Sequence, residues 1–133
     1  MKLAALYLFS VLLLACSIKY NQPAVVSIER IKSFRGGNQS NTIDISKVYS
    51  VSGYFYNDRF PILVTDLKWT RVNSPMPDSV YLKLGGLEID KEKITELQEK
   101  YIKITGHINP PSKNNYGMDA DFLLTRQPTL QSR

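Results

Sequence analysis

Lys47-Val48-Tyr49-Ser50-Val51-Ser52-Gly53-Tyr54-Phe55-Tyr56 sets Val48, Ser50 and Ser52 against Tyr49, Val51 and Gly53, two side-chain sets that change places at every residue. Alternation of period two, built from β-branched and aromatic residues, predicts a strand with one face buried. Lys100-Tyr101-Ile102-Lys103-Ile104-Thr105-Gly106-His107-Ile108 repeats the layout, with the glycine again six residues after the lysine. In both segments the glycine falls inside a strand, where a missing side chain permits the bulge or sharp coil that a small barrel needs to close. A duplicated ligand motif is the competing reading. The two segments match in pattern rather than in exposed polar residues, which favours curvature.

Working outward, Phe60 to Thr70 supplies Ile62, Leu63, Val64, Leu67 and Trp69 after Pro61, and Val80-Tyr81-Leu82-Lys83-Leu84 follows a loop from Asn73 to Asp78. Both predict strands. Gly85-Gly86 ends the second of these. Asp90 then serves as the cap of a short helix running through Lys100, with Ile94, Leu97 and Tyr101 on one stripe. Beyond Ile108, Pro110-Pro111 to Gly117 forms a long turn, and Asp121 to Arg126 makes a last apolar segment. On the N-terminal side, Val26 and Ile28 alternate with Ser27 and Glu29, whereas Ile31 and Phe34 suit a helical face. Val25 to Phe34 is assigned as strand, with helix the competing assignment. Arg35 to Asn41 is a loop of glycine and asparagine.

The order strand, strand, strand, helix, strand, strand from Lys47 onward resembles the OB-fold, a small Greek-key barrel with a helix between its third and fourth strands. The expected fold class is therefore mainly β: an OB-fold-like five-stranded barrel with one short helix and an extra N-terminal segment. Val25 to Phe34 has no slot in such a barrel, and its expected role is to cover an open edge or end.

Composition agrees with one modest core, since 133 residues at 43% hydrophobic and 22% charged suit a single globular domain. The opening residues are of another kind: Met1-Lys2, then an apolar run from Leu3 to Ala15 broken only by Tyr7 and Ser10, then Cys16. A charged start, a short apolar run and small residues at its end predict a secretory signal, too short to span ~30 Å of hydrocarbon as a stable helix. Leu13-Leu14-Ala15-Cys16 resembles the lipobox of bacterial lipoproteins. That resemblance implies cleavage before Cys16, a thioether-linked diacylglycerol on its sulfur and further acylation of the freed amine. Burial contributes about 0.8 kcal/mol per CH₂ and one chain binds only marginally, so several chains on one residue give lasting attachment. An ordinary leader beside a free cysteine is the alternative. Cys16 is the sole cysteine, so no intramolecular disulfide can form. Ser17 after it, by the same resemblance, leans toward the periplasmic face of the outer membrane. The expected division is residues 1–15 signal peptide, 16–24 tether, 25–127 barrel and 128–133 flexible tail.

The 17 basic and 12 acidic side chains fall to 16 against 12, a formal +4, once Lys2 leaves with the leader. No block of like charge occurs, so nucleic acid is not implied as a partner. One histidine, His107, excludes a two-histidine metal site, and no CxxC pair is present. No GxSxG elbow surrounds a serine, and His107 reads as an outward-facing strand residue. Asp119 and Asp121, near Asn114, Asn115 and Gly117, have oxygen ligands for calcium but fail the EF-hand spacing; turn formation is the simpler role. Gly36-Gly37 and Gly85-Gly86 lack the phosphate-cradling pattern. No catalytic residue, metal or cofactor is assigned.

Aromatic residues are the remaining lead. Tyr49, Tyr54, Phe55, Tyr56, Phe60, Trp69 and Tyr81 crowd the first three barrel strands, interleaved with Lys47, Arg59, Lys68, Arg71 and Lys83. Such rings stack on sugars or bases while the cations attract acidic groups, although core packing claims some of them. The ligand-binding candidates are Tyr54, Tyr56, Trp69, Lys68 and Arg71. The expected function is a lipid-anchored, non-catalytic envelope protein that binds a protein or peptide partner, in envelope assembly or toxin neutralisation. A glycan- or other anionic-oligomer-binding module is the alternative, and a hydrolase the third.

Overall fold

The structure, a computed structural model, describes residues 22–38, 40, 42–111 and 119–130. The leader, Cys16 and residues 112–118, where a long turn is expected and which include Asn114, Asn115 and Gly117, lie outside the described residues.

The opening alternation becomes β2, Tyr49–Asn57, whose residues Tyr49, Val51, Gly53 and Phe55 are buried. β3 is Pro61–Val64, β4 is Tyr81–Gly85, β5 is Tyr101–Ile108 and β6 is Phe122–Leu124. β2 pairs antiparallel with β3 through Tyr54↔Val64 to Asn57↔Pro61, and with β5 through Tyr49↔Gly106 to Tyr54↔Tyr101. β3 meets β4 antiparallel, β4 meets β6 parallel, and β6 returns antiparallel to β5. Five strands thus close in the cyclic order β2-β3-β4-β6-β5, an OB-like barrel with α2, Lys91–Leu97, between its third and fourth strands. Inside lie Val51, Phe55, Leu63, Leu82, Ile102, Ile104 and Phe122, with Leu97 of α2 sealing one end of the same cluster.

Closure rests on two glycines. A Cβ at Gly106 would overlap the Leu123 carbonyl oxygen and stand 2.8 Å from both the Leu123 carbonyl carbon and Phe122 Cε1. One at Gly53 would stand 2.9 Å from Leu63 Cγ and from the Val64 oxygen. Neighbouring chain approaches so closely that only hydrogen fits, which is the physical content of the shared glycine spacing.

The N-terminal segment corrects the strand assignment for Val25 to Phe34. Only Ala24–Val25 is extended, as β1, parallel to β2 through Ala24↔Tyr49 and Val25↔Ser50. Ile28–Arg35 is a helix, α1, because Ser27 caps it through its hydroxyl oxygen, which accepts from Arg30 N–H at 3.1 Å, and Ile28 and Ile31 then share one buried face. The spacing of three overrides the brief alternation. Among the described residues the barrel therefore carries two helices, one of them in the extra segment.

Three further boundaries move. The expected strand from Phe60 to Thr70 stops at Val64, and Leu67–Arg71 is a 3-10 turn capped by the Asp66 carboxylate on Lys68 N–H. α2 ends at Leu97, and the Asp90 side chain makes no cap hydrogen bond. After α2, Glu99 takes a left-handed φ of 62° and its N–H donates to Phe55 O at 2.8 Å, turning the chain into β5. The stretch read as a flexible tail stays with the barrel at first: Pro128 is buried and Thr129 bridges to Lys103.

α1 is held to the barrel by buried charge. Lys32 Nζ lies 2.9 Å from Asp121 Oδ2 and 3.0 Å from Asp78 Oδ1, and Arg35 Nε lies 2.7 Å from Asp121 Oδ1. Lys83 N–H adds a bond to Asp121 Oδ2 at 2.8 Å, and Arg35 Nη1 donates to the Asn109 carbonyl. Asp121 is thus the counter-ion of a helix, with both carboxylate oxygens engaged.

Candidate functional site

Residues paired across antiparallel strands point to the same face, so the register dictates what the outer wall displays. Across β2, β3 and β4 one row reads Tyr56, Ile62, Lys83, and the next reads Tyr54, Val64, Tyr81, extended on the β5 side by Tyr101. Ile62 and Val64 face outward by this register yet are buried, so the chain after β3 must cover them. Part of that cover is Pro75 and Met76, which with Ile62 and Tyr81 line a groove also bounded by the β2–β3 turn residues Asp58, Arg59 and Phe60. The groove encloses about 400 Å³, within the range of sites that hold part of a ligand.

Its chemistry is apolar below and charged at the rim. Phe60 is 43% exposed, a large hydrophobic left open to solvent at the mouth. Lys83 Nζ stands 5.3 Å from the Phe60 ring centroid and Lys32 Nζ 4.9 Å from that of Tyr81, each within reach of a cation–π contact. Burial, and then the nearby Asp78 carboxylate, push the Tyr81 phenol above its usual 10.0.

The five candidates from the sequence divide. Tyr54 and Tyr56 stand on the same outer wall as the groove floor, Tyr56 directly beside Ile62. The Tyr54 ring meets Tyr101 edge-on, centroids 5.1 Å apart at 72°. Lys68, Trp69 and Arg71 belong to the 3-10 turn rather than to a strand. There the Lys68 ammonium lies 5.2 Å from the Trp69 ring and Arg71 Nη2 reaches Glu99 Oε1 at 3.8 Å. Met76 and Pro75 were not singled out by sequence, because a loop closing over a sheet leaves no periodic mark. Phe60, Arg59, Tyr81 and Lys83 were visible as an aromatic and basic mixture without a location.

His107 is half-buried on β5, its Nδ1 3.1 Å from the Lys47 carbonyl oxygen. Among the described residues no cluster of histidine, cysteine and carboxylate side chains could hold a metal ion, and no helix is long and apolar enough to cross a membrane. Comparison of the chain with protein-family models, curated proteins and solved structures finds no match.

Proposed function

We propose that this chain is a lipid-anchored envelope protein, tethered through Cys16, whose barrel offers the groove beside Phe60 to a peptide segment of a protein partner and performs no catalysis of its own. The observation that carries the reading is an open apolar slot with a charged rim. Ile62, Met76 and Phe60 suit an aliphatic or aromatic side chain, and Asp58, Arg59 and Lys83 stand where a peptide's polar flanks would run. Methionine adapts to irregular apolar shapes, which favours peptide over the hydroxyl-rich surface of a sugar. The glycan alternative draws on Trp69, whose face is already met by Lys68.

Two measurements test the two halves. A photo-crosslinking amino acid at Phe60 or Met76, in cells making the full chain, should yield a discrete protein adduct that the same group at Glu96 on α2 does not. Met76→Asp should abolish the adduct formed from position 60. Equal adducts from all three positions, or indifference to Met76→Asp, would refute the groove. For the anchor, intact mass should show a chain beginning at acylated Cys16, and Cys16→Ser should release the protein from membranes.

A further inference from the structure

Among the described residues, seven large apolar side chains remain exposed, and three of them sit where the chain joins the barrel: Val25 at 71%, Ile45 at 45% and Val48 at 37%. Their grouping follows from the backbone. Val25 is in register with Ser50 on β2, and Val48 precedes Ser50 by two residues, the spacing that returns a side chain to the same face of an extended chain. Ile45 lies in the turn just before, closed by Lys47 N–H donating to Asp44 O at 3.2 Å. The charges nearby are Lys47, between Ile45 and Val48, Lys103, on β5 opposite Ser52, and Glu29, which lines the same cleft as Val25. The Asp44 carboxylate is engaged by the Ser46 hydroxyl at 2.6 Å and its N–H at 3.0 Å, which also lower its pKa.

We infer that this end of the barrel is a membrane seat: Val25, Ile45 and Val48 enter the headgroup layer of an anionic bilayer while Lys47 meets lipid phosphate. The inference rests on the proposed anchoring through Cys16, and covalent reach is what selects a bilayer as the occupant. Eight residue steps separate Cys16 from Ala24, and a fully extended chain of that length covers at most about 28 Å. That is less than the breadth of a domain whose radius of gyration is about 13 Å once side chains are counted, so the end bearing β1 cannot be held far from the lipid. Apolar side chains with lysines beside them are the composition that settles at a bilayer interface. The seat also aims the groove. Phe60 lies beyond the far end of β2, whose nine residues run up to about 26 Å from Tyr49, so the mouth faces away from the membrane toward a partner.

The test uses the full chain, processed from its own leader and reconstituted in vesicles of phosphatidylglycerol and phosphatidylethanolamine. A nitroxide is attached at Val48→Cys or at Phe60→Cys, and its accessibility to oxygen and to a water-soluble nickel chelate is compared. Intact mass reports acylation of Cys16 in the same samples. The expected result is acylated Cys16, with nickel accessibility severalfold lower at position 48 than at position 60. Val25→Asp combined with Ile45→Asp should raise accessibility at position 48 with no change in the lipid mass. Equal accessibility at 48 and 60 with Cys16 acylated overturns the seat and leaves the anchor standing. Unacylated Cys16 with both positions open to nickel overturns the two together.

Discussion

Replacing Gly106 with alanine adds one carbon at the seam where β6 lies against β5. That carbon would overlap the Leu123 carbonyl oxygen and stand 2.8 Å from the Leu123 carbonyl carbon and from Phe122 Cε1, where carbon atoms rest about 3.5–4.0 Å apart. Two of the three obstacles are backbone of β6, and Phe122 is fully buried, so no flexible side chain can swing aside. β6 would have to retreat by the better part of an ångström, loosening its pairs with β5 at 106–108 and with β4 at 84–85 together. Overpacking of cores costs about 1–3 kcal/mol and more where backbone must move, which places Gly106→Ala at roughly 3 kcal/mol. For a domain of this size each kcal/mol lowers Tm by about 4–5 °C, so the expected drop is on the order of 12–15 °C by calorimetry or far-UV circular dichroism. Gly53→Ala meets Leu63 Cγ and Val64 O at 2.9 Å, a milder approach that should cost roughly half as much. A Gly106→Ala protein melting within a few degrees of wild type would refute the view that close approach of β6 dictates the residue.

Removing the Asp121 carboxylate should be the severest test of the α1 docking. It leaves Lys32 and Arg35, with side chains only 7% and 13% exposed, without their shared counter-ion, and losses on the order of 3–5 kcal/mol follow when one partner of a buried pair is deleted. The Asp121→Ala urea midpoint should fall accordingly, while Asp78→Ala, whose carboxylate side chain is 83% exposed, should cost under about 1 kcal/mol; equal effects would contradict the assignment. Tyr81 is expected to ionise later than ordinary tyrosines, so the ultraviolet titration of the protein's tyrosines should show a late component that Tyr81→Phe removes. Because its folded pKa is raised, the unfolded chain releases the proton first, and stability should decline as pH climbs past about 10, less steeply in the Tyr81→Phe variant. An unchanged titration would show that neither burial nor Asp78 acts on the phenol.

Strands whose two faces meet different surroundings announced themselves. β2 and β5 carry alternating apolar and polar residues and were legible at once, as was the glycine that each strand needs. Trp69 looked like strand because Leu67 and Trp69 keep the alternation begun by Leu63, yet Asp66 captures Lys68 N–H and winds the chain into a 3-10 turn. A local side-chain bond won over pattern. In α1, Ser27 as cap with Ile28 and Ile31 three apart was the better signal than two alternating pairs. The groove was legible only in its parts. Phe60, Arg59 and Tyr81 were conspicuous in composition, but the folding of Pro75 and Met76 over Ile62 is a long-range event without a local signature. The pairing of Lys32 with Asp121, 89 residues apart, is of the same kind.

β6 is three residues long and borders both β4 and β5, one partner parallel and the other antiparallel. It is also the last of the six strands among the described residues to be synthesised. Until Phe122 to Leu124 leave the ribosome, β4 and β5 have no stave between them, and Gly106 faces open water where the Leu123 carbonyl belongs. A nascent chain of this design cannot close its barrel before β6 is made, and pairings of such long sequence separation form slowly thereafter. Under the proposed export, that delay would suit threading through a translocation channel as an open chain and would place completion of the barrel on the far side of it.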